Sequence, residues 1–281
     1  MIEIIGKIVS WAQQELKIRA IILEGSIVSG AKIDKLSDYD LNIYITDYSK
    51  FVKNNDWMYT FDDVIVYQKP DFTYDEWYIP SRLVVYKHSP RVDFSFWNID
   101  ILKQFIEKQE LPEFYKNGYK VLIDKDRITS QLHEPSHDGY AIARPCKDEF
   151  LKTIFDFWYE VYCVVKYLKR ESLFYTKMIE NGYIKKFLLQ MLLWYEAMNT
   201  GWGRNDIHTE GKNLEEIIDD TLKSQLAKCF SDYSYEKTLT SLQKMIQLFE
   251  KYSITVCNNL DIDYPNKRIK GIKSFINKIL T

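Results

Sequence analysis

Cysteine is scarce: the 281 residues hold four, Cys146, Cys163, Cys229 and Cys257, and no two form a C-x-x-C pair. That spacing argues against a thiolate zinc site and against a disulfide framework, and it predicts buried thiols in a reducing compartment. Long apolar runs are also missing. None approaches the roughly 20 residues that span a bilayer, and Glu3 and Lys7 interrupt any leader-like core between Met1 and Leu16. The expectation is a soluble, cytoplasmic chain with no membrane partner. Nor is there a surplus of positive charge. Lys and Arg total 38 against 40 Asp and Glu, a formal charge of -2, which lacks the field of most duplex binders and counts against nucleic acid. What the sequence does hold is apolar bulk. Hydrophobic residues make up 46% and aromatics 15%, including 21 Tyr, 15 Phe and 7 Trp, enough buried surface to offset the entropy of ordering the chain.

The patterning changes along the chain. From Met1 to Leu16 the residues Ile4, Ile5, Ile8, Val9 and Ala12 recur at helical spacing, and from Ala20 a short β-branched run ends at Glu24-Gly25-Ser26. Strands are predicted over Tyr39 to Thr46, Val64 to Tyr67, Arg82 to Tyr86 and Val92 to Trp97, the last two divided by the turn-like Lys87-His88-Ser89-Pro90. Beyond Arg144-Pro145 the period becomes helical. Phe150, Ile154, Phe157, Trp158, Val161, Val165 and Leu168 lie at three- and four-residue steps, and helices are predicted again at Ile184 to Met198, Leu214 to Phe230 and Tyr235 to Asn258. The reading is α+β in two domains, residues 1–135 built on a mixed sheet and residues 136–281 a helical bundle.

The most informative stretch is Leu23-Glu24-Gly25-Ser26 followed by Asp38-Tyr39-Asp40. Residues two apart on a strand share a face, so Asp38 and Asp40 present paired carboxylates while Tyr39 and Leu41 face away. Hard oxygen ligands of this kind suit Mg²⁺, which keeps substrate phosphate oxygens among its ligands. A small-residue turn at Gly25-Ser26 lets backbone N–H groups approach a phosphate closely. A third acid, Asp93, shares a strand face with Ser95. If that strand lies beside the first, three carboxylates meet in an arrangement suited to in-line transfer at a nucleotide phosphate. On the predicted long helix, Glu149, Asp156 and Glu160 share a face and could receive a cationic acceptor. No H-x-x-x-H, G-x-S-x-G or G-x-x-x-x-G-K-[ST] pattern competes.

Gly25-Ser26, Asp38-x-Asp40 and Asp93 together resemble the nucleotidyltransferase superfamily shared with DNA polymerase β. The likeness extends through Ile45-Thr46-Asp47, Tyr67-Gln68-Lys69-Pro70, Leu122-Ile123-Asp124-Lys125-Asp126, Arg144-Pro145, Phe157-Trp158, Val164-Val165-Lys166 and Gly211-Lys212-Asn213. In that order these segments look like the aminoglycoside 6-adenylyltransferases, the streptomycin-modifying enzymes. The resemblance implies a polymerase-β-like N-terminal domain and transfer of AMP from ATP to an aminoglycoside hydroxyl, with Mg²⁺ required and pyrophosphate leaving. It implies that Gly25, Ser26 and Lys212 hold the nucleotide, that Asp38, Asp40 and Asp93 bind metal and form the catalytic set, and that Asp93 helps to activate the acceptor. Asp156 and Glu160 are the acids expected at the acceptor. Two positions depart from the family pattern. Ile27 stands where Arg usually follows the Gly-Ser, so that phosphate contact is missing or comes from a residue such as Lys32 or Lys35. Lys177 stands where an acid is expected to deprotonate the acceptor, which leaves the base to Asp156, Glu160, Glu180 or Asp93. The alternatives are a nucleotidyltransferase with another acceptor and a nucleotide-binding protein without turnover.

Overall fold

The computed structural model describes residues 3–30, 33–203, 211–212 and 214–281. Its contacts divide into two compact units, Met1–Gly139 and Tyr140–Thr281.

The first unit opens with α1 (Glu3–Gln14), whose Ile4, Ile5, Ile8 and Ala12 are buried along one stripe. The strands are β1 (Ile18–Glu24), β2 (Tyr39–Ile45), β3 (Val64–Gln68), β4 (Phe72–Tyr74), β5 (Trp77–Ile79), β6 (Ser81–Tyr86), β7 (Val92–Asn98) and β8 (Lys120–Asp124). Helix α2 (Ser49–Lys53) lies between β2 and β3, and α3 (Ile99–Glu107) and α4 (Glu113–Lys116) lie between β7 and β8. Six strands form one mixed sheet in the order β3-β6-β7-β2-β1-β8, with β4 and β5 a separate hairpin. β2 and β7 run parallel, whereas β1 pairs antiparallel with both β2 and β8.

Both faces of the sheet are covered, which explains why β1 reads as a nearly unbroken apolar run, while β2 and β7 keep their alternation. Ile21, Leu23, Leu41, Ile43, Phe94 and Phe96 pack with α1 and with Phe51, Trp57, Met58 and Phe61. Ala20, Ile22, Tyr44 and Trp97 pack on the other face with Ile101, Leu102, Phe105 and Tyr115. The strands read from the sequence are present, as are the helices at the start and over most of the second half. β4, β5, β8, α2, α3 and α4 were not foreseen.

The second unit consists of α5 (Lys147–Lys169), α6 (Leu173–Ile179), α7 (Lys185–Thr200), α8 (Leu214–Ile217), α9 (Asp220–Ala227), α10 (Tyr235–Asn259) and α11 (Asn266–Leu280). A π-helical turn, Glu180–Ile184, joins α6 to α7. Phe157 of α5 stacks on Phe249 of α10 with ring centroids 3.7 Å apart, inside one continuous apolar core. The single helix foreseen over Leu214 to Phe230 is two, because Asp219 caps α9 by accepting from the Leu222 N–H at 2.7 Å. α6 and α11 were not foreseen either.

All four cysteines are free thiols. Cys229 and Cys257 are buried, whereas Cys163 is half-buried and Cys146 is exposed, which corrects the expectation that all four are core residues. Among the described residues no helix is long and apolar enough to cross a membrane.

Candidate active site

Three neighbouring strands bring the acids together. Glu24 at the end of β1 pairs with Asp40 on β2, and Asp40 pairs with Asp93 on β7. Strand alternation then places Glu24, Asp40 and Asp93 side by side on one face, above Ile22, Asn42 and Ser95. Asp38 lies just before β2 and its side chain is partly open to solvent. Glu24 is the acid that sequence reasoning left out of this group.

The turn after β1 touches these carboxylates. Gly25 has φ +79°, and a Cβ there would run into the Asp40 carboxylate, so both backbone conformation and space require glycine. Its carbonyl accepts from the N–H groups of Val28 at 3.2 Å and Ser29 at 3.1 Å, which tightens the turn that carries half-buried Ser26. Ile27, next in the turn, packs against the apolar cluster under α1. Lys35 is exposed, and Lys32 lies outside the described residues.

The floor under the acids is a closed polar network. Trp97 Nε1 donates to Asn42 Oδ1 at 2.7 Å, Asn42 Nδ2 donates to the Tyr115 hydroxyl at 3.1 Å, and the Tyr115 and Tyr44 hydroxyls are 2.7 Å apart. Satisfied networks of this kind hold side chains in one arrangement. Glu24 reaches this floor, yet its Oε2 is buried without a hydrogen-bond partner. Burial first, and then the charge of Asp40, push its carboxyl up to about 8, against a hydrogen bond from Asn42. Burial also raises Asp93, opposed by its bonds to Arg91.

Arg91 is the second residue that the sequence reading missed. Its Nε donates to Asp93 Oδ1 at 2.8 Å and its Nη2 to Asp93 Oδ2 at 2.5 Å, while Nη1 lies 3.2 Å from Asp38 Oδ2. Arg91-x-Asp93 at the start of β7 was the available signal, since residues two apart along extended chain face the same way. Among the described residues no three carboxylate, imidazole or thiol groups are clustered to cage an ion. A guanidinium instead bridges Asp38 and Asp93. The donor chemistry of Asp38, Asp40 and Asp93 is still that of a hard cation, carboxylate oxygens, with the buried and unpartnered Glu24 Oε2 beside them.

The remaining residues named from sequence lie in the second unit. Lys212 is exposed, and its neighbour Asn213 is outside the described residues. Asp156 and Glu160 are half-buried one turn apart on α5, with Lys152 Nζ 2.5 Å from Asp156 Oδ2. Burial and then the charge of Asp156 raise the Glu160 carboxyl. Glu180 is fully buried. It bonds to Lys177 Nζ at 2.5 Å and to the Ser241 hydroxyl at 2.6 Å, which removes it from the residues that could meet an acceptor.

Adjacent in-register acids beside a tight glycine turn form a site suited to enzymes that act on nucleotide phosphates. Comparison with known proteins makes that class particular. Residues 1–279 match the family described as streptomycin adenylyltransferase, and the chain belongs to that family. It is 28% identical to an aminoglycoside 6-adenylyltransferase of Staphylococcus aureus, over 98% of this chain and 96% of the relative. To one of Bacillus subtilis it is 26% identical over 94% and 92%. The crystal structure of an aminoglycoside 6-adenyltransferase from Bacillus subtilis aligns over 99% of this chain and 97% of that one, with 23% identity and a TM-score of 0.49.

Proposed function

We propose that this protein is a Mg²⁺-dependent enzyme that transfers AMP from ATP to a hydroxyl of a streptomycin-like aminoglycoside, in the cytoplasm. The observation that carries the reading is the pairing of Asp40 with Asp93 on adjacent parallel strands, next to a turn whose glycine abuts the Asp40 carboxylate. Family membership and the names of its relatives supply the acceptor class.

In this reading Asp38, Asp40 and Asp93 would hold Mg²⁺, and Gly25, Ser26 and Lys212 would meet the triphosphate. The ion would offset charge on the phosphate oxygens and orient them. The acceptor hydroxyl oxygen attacks the α-phosphorus, the bond to the β-phosphate oxygen breaks, and pyrophosphate departs. The hydroxyl proton passes to Asp93, the acid that the family resemblance implies as the base. Asp156 and Glu160 attract the cationic groups of the acceptor.

The test is pyrophosphate release from ATP and MgCl₂ with a panel of aminoglycosides, with mass spectrometry to find the AMP adduct. Release that depends on streptomycin or a close analogue is expected. In that assay Asp156→Asn and Glu160→Gln should each raise the acceptor KM by about threefold to tenfold, as for partly exposed ion pairs. A folded protein that releases no pyrophosphate with any member of the panel overturns the reading.

A further inference from the structure

Arg91 is held by its backbone and left open at its head. Its carbonyl accepts from the Tyr39 N–H at 3.0 Å, which fixes the residue at the start of the β2–β7 pairing. Its side chain is 39% exposed, so the guanidinium lies at the surface of the acid row rather than within the core. The forked contact to Asp93 and the contact to Asp38 use oxygens of two residues assigned above to the metal.

The acids need a counter-charge when nothing is bound, because gathered carboxylates repel one another and lose solvation. Arg91 supplies it. A divalent ion on Asp38 and Asp93 needs those same oxygens, so the guanidinium and the ion compete for them. A displaced guanidinium is then left beside the place where the triphosphate would arrive. Its planar fork matches phosphate oxygens as well as it matches a carboxylate. The position after Gly25-Ser26 is Ile27, which is apolar and packed, so that turn residue brings no cation to the phosphates.

We propose that Arg91 is a resident counter-cation which yields Asp38 and Asp93 to the divalent ion and turns to the nucleotide phosphates. It is thus a competitor of the metal and a ligand of the nucleotide. This rests on the nucleotidyl-transfer reading and adds to it a residue whose removal affects the two ligands in opposite directions. No bond is made or broken; salt-bridge partners are exchanged.

The test measures the two ligands separately on Arg91→Gln. Binding of Mn²⁺ alone, followed by the electron paramagnetic resonance of the free ion, should tighten by about tenfold, because the internal competitor is gone. Binding of ATP in the presence of Mg²⁺, followed by calorimetry, should weaken by about tenfold or more, from the loss of a charge-assisted contact. Arg91→Lys, which keeps the charge without the fork, should fall between parent and Arg91→Gln in both measurements, and it serves if Arg91→Gln does not fold. Weaker binding of both ligands by the variants marks a merely structural arginine and overturns the proposal, as does unchanged Mn²⁺ binding in a variant of a parent that binds ATP. A parent chain that binds no ATP overturns the nucleotidyl-transfer reading as well, so the two failures are distinguishable.

Discussion

Each unit of this protein contains an ionic cluster, and the two are built differently. In the sheet unit Arg91 bridges Asp38 and Asp93 at a half-open edge, and the nearby Glu24 Oε2 has no hydrogen-bond partner. In the helical unit the Lys177–Glu180 pair is enclosed. Glu180 is 0% exposed, and the hydroxyls of Ser231 and Ser241 complete the bonding of the pair. A buried ion pair with every partner satisfied resists change, since removing one member strands the other charge. A half-exposed set with an unfilled oxygen can exchange partners at small cost. The contrast separates acids that hold the fold from acids available for chemistry, although both read as Asp or Glu near Lys or Arg in the sequence.

Substitutions break this comparison in graded steps. The largest effect is expected at Asp40→Asn, which should lower turnover by about 10³-fold while the thermal melt stays near that of the parent. Pyrophosphate release measured beside a melting curve checks it, and parent-like release would remove Asp40 from the site. Lys177→Met should do the reverse. It leaves Glu180 buried without its cation, at a cost of about 3–5 kcal/mol in denaturant unfolding, while kcat of the folded fraction changes little. Adding Glu180→Leu should recover most of that loss. Failure to recover it would mean that the pair does more than fill its cavity.

The third effect depends on pH. The folded Glu24 carboxyl keeps its proton up to about 8, whereas the unfolded one releases it near the ordinary 4.5. Its contribution to stability is therefore complete below the lower value and drains away as pH rises through the upper one. Between pH 5 and pH 8, without added metal, the melting temperature of the parent should fall more steeply than that of Glu24→Gln. Parallel curves from differential scanning fluorimetry would place the titration of this carboxyl elsewhere.

Much of the sheet was legible because its pattern is local. Alternation along β2 and β7 gave the strands, and Asp38-x-Asp40 and Asp93 stood out as acids within apolar runs. Adjacency was a conditional expectation, and the parallel register of β2 on β7 supplies it. Glu24 was not legible because a Glu before Gly at a strand end looks solvated. Its burial comes from Asp40 and Asn42 on the neighbouring strand, which sequence spacing does not encode. Arg91 escaped for a related reason: beside an acid on the same strand face, an exposed cation and a bridging one look alike. The break at Asp219 was missed although its signal was present: an Asp cap with Asp220 in the first turn, two residues ahead of Leu222, marks a helix start. Glu180, a candidate base in the sequence reading, lies one turn from Lys177, where i,i+3 spacing makes it the partner of that lysine rather than a base.

The parallel pairing of β2 with β7 also governs when the site comes into being. β1 and β2 are consecutive strands and can meet early, but β2 reaches β7 only after β3, β4, β5 and β6 have been laid between them in the chain. Pairings across such a separation carry a loop-closure penalty that slows their formation. Asp40 and Asp93 therefore meet only once that intervening loop has closed. A slip of one residue in that pairing turns Asp93 away from Asp40 and carries Val92 or Phe94 out of the core. The apolar alternation of β7 thus proofreads the carboxylate register, and a chain that misses it loses its core along with its site.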